Sequence, residues 1–213
     1  MVQIIAVDGP AGSGKSSVSK AVARKLGFGY LDTGAAYRAL AWAVMEGKLS
    51  LPGEDFNGFD YQISLEPNNF WVKTFGTDVT EAIRDPRISE SVSVVAQIPA
   101  VRAYMKSLTL HLVAASDFPG VVVEGRDITT VVAPDAKIRI LLTADEATRL
   151  ERRAKELTPE QLDTLKVGLR ERDAIDSKVV DFLKPADGVT LVDSTELNFE
   201  QTVDAVLSII REH

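Results

Sequence analysis

Eight residues near the start constrain this chain more than any others. Gly9-Pro10-Ala11-Gly12-Ser13-Gly14-Lys15-Ser16 matches the pattern G-x-x-x-x-G-K-[ST]. Such a match arises by chance in on the order of one chain in a hundred. Its physics requires a strand, a tight loop and a helix in that order. The glycines let backbone N–H groups converge on phosphate oxygens with no Cβ in the way. The helix N-terminus adds its dipole. Lys15 is then placed to reach β- and γ-phosphates, and the Ser16 hydroxyl to ligate Mg²⁺. Ser17 extends the expected nucleotide-binding segment to residues 9–17.

The flanks fit. Residues 3–7 (QIIAV) form an apolar, β-branched run that ends at Asp8, which predicts a buried strand. Residues 16–26 carry Val18, Val22 and Leu26 on one helical face, and Gly27 stands where a helix stops. A second strand at Tyr30-Leu31 runs into Asp32-Thr33-Gly34, and a helix follows over 35–45. Residues 47–88 hold Gly47, Pro52, Gly53, Gly58, Pro67, Gly76 and Pro86, with alternation over 70–75. They predict an antiparallel β insertion. Helix returns over 89–114, interrupted at Pro99. Strands follow at 120–124, 137–143 and 189–192. A charged helical stretch spans 145–178, with a tip near Thr158-Pro159, and a last helix spans 199–211. The fold class is α/β: a P-loop parallel sheet flanked by helices, with a small antiparallel insertion. The expected core is 1–46, 89–153 and 177–213, around the insertion at 47–88 and a region at 154–176.

Composition removes other classes. The 213 residues carry a net charge of −7, which argues against a nucleic acid or an anionic membrane as partner. With no cysteine and two histidines, His111 and His213, thiolate and histidine-rich metal sites are excluded. The N-terminus lacks a basic region before an apolar stretch, and no apolar run approaches the ~18–20 residues of a membrane span. The expectation is a soluble, cytoplasmic monomer. Trp42 and Trp71 read as packing residues, and His111 as a helix residue without catalytic duty.

What the nucleotide is used for depends on the arginines. No N-K-x-D guanine motif occurs, and the GVVVEG strand holds one acidic residue, Glu124. A small kinase needs a second anion site, and arginine pairs bidentately with phosphate. Arg38 follows the second strand, and Arg126 lies at the end of the 120–124 strand. Ligands of open α/β sheets bind at such strand ends, so Thr33, Arg38, Arg126 and Asp127 share an edge with the phosphate loop. Arg149, Arg152 and Arg153 share one helix face, and with Arg170 and Arg172 suggest a lid closing over ATP phosphates. A phosphate acceptor, already anionic with a second pKa of about 6, needs no general base. An alcohol acceptor would want one, and Asp32 is available, so a small-metabolite kinase stays open. So does a protein that uses ATP as a switch.

Taken in order, VDGPAGSGKSS, LDTGAAYRA at 31–39, EGRDITTVVAPDA at 124–136, RERDAIDS at 170–177 and LVDST at 191–195 resemble the bacterial cytidylate kinases over nearly the whole chain. The resemblance implies ATP and Mg²⁺ as cofactors and CMP and dCMP as acceptors. It implies that residues 47–88 enlarge the monophosphate-binding region and that 154–176 form a short lid. It assigns the CMP phosphate to Arg38 and Arg126, and the cytosine edge to Ser93, Arg102 and Asp127. It assigns ribose and phosphate contacts to Arg172 and Asp176, and phosphoryl stabilisation to Lys15, Arg126, Arg153 and Arg172. The family pattern RD-x-x-DS-x-R is broken here. Val179 holds the final position, with Lys178 beside it as a point-charge substitute.

Overall fold

The computed structural model describes residues 2–50, 56, 58–154 and 184–212, and at 89 and 90 the backbone alone. The chain opens with β1 (Gln3–Asp8), α1 (Lys15–Leu26), β2 (Gly29–Asp32) and α2 (Thr33–Met45). Gly27 ends α1 in the left-handed conformation, its N–H returning to the carbonyls of Ala23 and Arg24. Asp32 starts α2 by accepting a hydrogen bond from the Ala35 N–H at 3.0 Å.

The insertion holds three short strands, β3 (Tyr61–Ile63), β4 (Val72–Thr74) and β5 (Thr77–Asp78), paired antiparallel. Two helices follow, α3 (Pro86–Val95) and α4 (Pro99–Ala114). The expected start at 89 is corrected to Pro86. Proline suits the first helical turn because its missing N–H has no partner there anyway, and the Asp85 carboxylate caps the Arg87 N–H at 2.9 Å. Pro99 likewise opens α4 rather than interrupting one helix.

β6 (Gly120–Gly125), a single π-type turn (Ile128–Val132), β7 (Ile138–Thr143), α5 (Glu146–Ala154), β8 (Thr190–Asp193) and α6 (Phe199–Arg211) complete the described chain. The large sheet has the order β2-β6-β1-β7-β8 with every neighbouring pair parallel. Its inner strands β1 and β6 are buried on both faces over most of their length, which explains their apolar runs, while the edge strand β8 is largely exposed. Ala6, Leu31, Val121 and Val123 pack toward α2, α4 and the insertion. Their neighbours Ile5, Val7, Tyr30 and Val122 pack toward α1 and α6. This alternation is the two-residue repeat of a strand. Because β1 lies at the centre, the loop after it opens where the chain has built outward on both sides. Among the described residues no helix is long and apolar enough to cross a membrane.

Candidate active site

The phosphate loop spans the gap from β1 to α1. Gly14, the residue before α1, and Gly12 have φ of +85° and +76°. No side chain caps α1, and the start of a helix is where backbone N–H groups favour an anion. A Cβ on Gly12 would stand 2.7 Å from the Arg149 carbonyl oxygen, which shows how closely α5 approaches the loop. The loop carbonyls are held by cations. Lys15 Nζ donates to Pro10 O at 3.3 Å, Arg126 Nη1 to Gly9 O at 2.8 Å, Arg149 Nη1 to Ala11 O at 3.0 Å and Arg152 Nη1 to Ser13 O at 3.2 Å. Arg152 also donates to Ser194 Oγ, Ser194 O and Leu197 O at 2.9, 2.7 and 3.2 Å. The sequence placed Arg149 and Arg152 in a lid over ATP phosphates. Here their guanidinium groups brace the loop backbone. Helix spacing located them, but no sequence signal distinguishes a phosphate from a carbonyl as the acceptor.

Two buried carboxylates stand at the strand ends. Asp8 accepts from the Ile128 N–H at 2.9 Å and from the Thr129 N–H and Oγ1 at 2.8 and 2.6 Å. It thereby pins the turn after β6 to the end of β1. Burial raises its pKa above the ordinary aspartate value, against those bonds and the charge of Lys15. Glu124, on β6, accepts from the Tyr30 hydroxyl through Oε1. Its Oε2 is buried with no hydrogen-bond partner. Burial and the Asp32 charge push its pKa up, against Lys15 and the hydroxyls of Ser16 and Tyr30. Sequence reading noted Glu124 as the strand's one acid and missed the roles of Asp8 and Tyr30, since both are set by neighbours about a hundred residues away.

On the acceptor side, the Thr33 hydroxyl donates to Glu124 O at 2.8 Å and ties the ends of β2 and β6 together. Gly125 is needed there, since a Cβ would meet Thr33 Oγ1 at 2.6 Å. Arg38 Nη2 pairs with Asp32 Oδ2 at 2.7 Å. Burial alone would raise the Asp32 pKa, but the charge and hydrogen bond of Arg38, the Ala35 N–H and Lys15 hold it below the ordinary value. Arg102 Nη2 pairs with Asp127 Oδ2 at 2.5 Å. Burial holds the Asp127 carboxyl above its ordinary value despite Arg102, with Asp8 adding to the rise.

A cleft of about 100 Å³ lies between α2, α4 and the turn after β6. Thr33, Tyr37, Arg102, Lys106, Asp127 and Val132 are among its lining residues. Burial and the charge of Asp127 push the Tyr37 phenol well up, so it stays a hydroxyl donor. Arg38, Arg126 and Ser93 are not among the lining residues. Ser93 sits in α3, where its carbonyl accepts from Gln97 Nε2 at 2.8 Å. Arg153 lies in the last turn of α5, half-buried. Arg170, Arg172, Asp176, Lys178 and Val179 lie outside the described residues.

The family model for cytidylate kinase matches residues 5–212. A cytidylate kinase of Cutibacterium acnes is 44% identical, over 97% of this chain and 95% of its own. Cytidylate kinases of Streptomyces avermitilis and Desulfitobacterium hafniense are 39% and 40% identical, each over 98% of this chain and 93% and 92% of theirs. A crystal structure of an uncharacterized protein from Eubacterium ventriosum aligns over 99% of both chains at 12% identity, with a TM-score of 0.52, a likeness of fold alone. With a match that runs nearly from end to end and relatives near 40% identity, the chain belongs to the cytidylate kinase family.

Proposed function

We propose that this protein transfers the γ-phosphoryl group of ATP, bound with magnesium, to the phosphate of CMP and dCMP. One observation carries the reading. An uncapped helix N-terminus with Lys15 stands beside two strand-end arginines and a cleft that holds the Arg102–Asp127 pair. This is a donor phosphate site joined to an acceptor site with both a phosphate grip and a base-reading pair.

Each role follows from chemistry. The loop N–H groups and Lys15 bind the ATP phosphates. Arg38 and Arg126 exchange Asp32 and the Gly9 carbonyl for the CMP phosphate, a better acceptor for a planar guanidinium. In the cleft, Asp127 accepts the cytosine amino hydrogen while Arg102 donates toward O2 and N3; Ser93, on α3 outside the cleft lining, joins them only if the cleft closes on the ligand. Uracil would set a carbonyl against Asp127, acceptor to acceptor. Thr33 keeps the two strand ends in register beneath the acceptor. Arg153, Arg172 and Asp176 complete the phosphate and ribose contacts.

A magnesium ion fits the residues present. The Ser16 hydroxyl and the partnerless Glu124 Oε2 offer hard oxygens beside the phosphate loop. Among the described residues no cluster of three or more histidine or acidic side chains could hold a metal unaided, which suits an ion carried in by the nucleotide. When bound, it supplies positive charge to the phosphate oxygens. The acceptor phosphate is already anionic, so positioning and fixed charge carry the catalysis. An alcohol acceptor would need Asp32 as its base. Asp32 is tied to Arg38 and its basicity is depressed, which favours the phosphate acceptor. Because both substrates belong to the cytoplasmic nucleotide pool, we place the enzyme there, as a monomer that gel filtration can check.

A coupled assay of ADP production with Mg-ATP against CMP, dCMP, UMP, AMP and shikimate tests the whole reading. CMP and dCMP should turn over fastest. ADP production no higher with any acceptor than without one rejects the kinase reading.

A further inference from the structure

We infer that Tyr30 is a positioning residue: its phenol holds Glu124 so that one carboxylate oxygen stays available to a nucleotide-bound magnesium ion beside Ser16. The inference rests on the magnesium–nucleotide reading above and adds a residue to it.

Glu124 is an unusual occupant of a parallel-sheet core. It is 1% exposed, in a strand otherwise built of glycine and valine. Keeping a carboxylate there is costly unless its oxygens are paired. Tyr30 satisfies Oε1, and Oε2 meets no hydrogen-bond partner. A residue kept only for stability would have both oxygens satisfied or would be apolar. The unsatisfied oxygen therefore needs a partner that arrives with a ligand. The Ser16 hydroxyl lies beside both the Glu124 carboxylate and the Tyr30 phenol, and stabilises the charge on each. Ser16 lies in the first turn of α1, so the Glu124 carboxylate stands at the phosphate end of the site.

Tyr30 can hold this position because it is gripped from both sides. Its ring is 1% exposed. Lys20 Nζ, on α1, stands 5.2 Å from that ring and 4.5 Å from the Phe70 ring. Phe70 comes from the insertion and packs against Tyr30 at 6.2 Å, tilted by 57°. The Tyr30 N–H donates to Leu65 O of the same insertion at 2.8 Å. The phenol has little freedom to swing, and the single hydrogen bond passes that constraint to Glu124. Without the hydroxyl, Oε1 loses its bond and the carboxylate can turn further toward Ser16 or Lys15.

The test compares ADP affinity, by calorimetry, with Mg²⁺ and with chelator. In the wild type, Mg²⁺ should strengthen ADP binding. In Tyr30→Phe that enhancement should fall by about tenfold, the scale of one hydrogen bond to a charged group. ADP affinity in chelator should stay the same. In turnover assays the Mg²⁺ concentration for half-maximal rate should rise in step, while KM for CMP changes by less than about twofold. In a Glu124→Gln background, Tyr30→Phe should add nothing further, because the effect passes through that carboxylate. Should Tyr30→Phe not fold, Phe70→Leu loosens the grip without removing the hydroxyl, and should lower the enhancement severalfold. An unchanged enhancement in either folded variant, or an equal loss in the Glu124→Gln background, overturns the role of Tyr30. A wild type whose ADP binding ignores Mg²⁺ overturns the magnesium reading with it. CMP turnover by the wild type judges the kinase reading separately.

Discussion

The donor and acceptor sides of this site are organised in opposite ways. On the donor side, cationic side chains grip the backbone. The carbonyls of Gly9, Pro10, Ala11 and Ser13 each accept from Arg126, Lys15, Arg149 or Arg152. These contacts fix the loop backbone in one conformation, with Gly12 and Gly14 in the left-handed region. On the acceptor side, side chains grip each other: Arg38 with Asp32 and Arg102 with Asp127. The donor site is a ready-made mould. The acceptor site is closed on its own charges, and a ligand has to offer better partners than those already present. On the proposed reading, affinity for any phosphate chain comes from the first arrangement, and discrimination between bases from the second.

The contrast can be broken from each side. The largest expected effect is on the acceptor. Asp127→Ala removes the carboxylate proposed to read the base and leaves Arg102 without its ion-pair partner. We expect kcat/KM for CMP to fall by about a hundredfold, with KM for ATP little changed. Full CMP activity in a folded variant would refute Asp127 as the base reader. On the donor side, Arg152→Ala frees the Ser13 carbonyl and the Ser194–Leu197 segment together. KM for ATP should rise by about tenfold, with a loss of roughly 1–3 kcal/mol of stability for the carbonyls left unpaired. Thermal unfolding and steady-state kinetics check both, and a KM change for CMP instead of ATP would contradict the bracing role.

A smaller effect comes from pH. Because the Asp127 carboxyl is held above its ordinary value, it takes up its proton earlier than an exposed aspartate as pH falls. KM for CMP should therefore rise severalfold on mild acidification while KM for ATP holds. In stability the sign is reversed. A carboxylate with a raised folded pKa contributes stability that is full below the unfolded value of about 3.9 and is lost as pH rises through the folded value. Asp32, whose pKa is lowered, does the opposite: its contribution is present above the unfolded value and lost as pH falls through the folded one. Profiles of KM against pH for both substrates distinguish an acceptor-side proton from general acid unfolding.

Much of the donor side was legible in the sequence. The 9–16 motif, the strand before it and the helix after it are local, and backbone sterics dictate them whatever lies elsewhere. The last helix was legible residue for residue over Phe199–Arg211, since its capping box and apolar face lie within 14 residues. The start of α3 was misplaced because Pro86 was read as a loop former, although proline serves equally well as the first residue of a helix. Arg38, Arg126 and Asp127 were legible as strand-end groups through the rule for ligands in open sheets.

By itself the sequence determined a phosphate-binding loop in a parallel α/β sheet, the strand ends that carry arginine, and, through five ordered motifs, the family. These follow from short-range geometry and residue chemistry. Only the tertiary structure decided which acceptor each arginine meets. Arg149 and Arg152 reach the loop backbone because α5 packs against it, at contacts 138 and 139 residues away in sequence. Tyr30 became part of the site because β2 lies beside β6, bringing its hydroxyl to a carboxylate 94 residues on. A guanidinium or a phenol has the same sequence signature whether it faces solvent, a carbonyl or a substrate, and packing alone chooses among them.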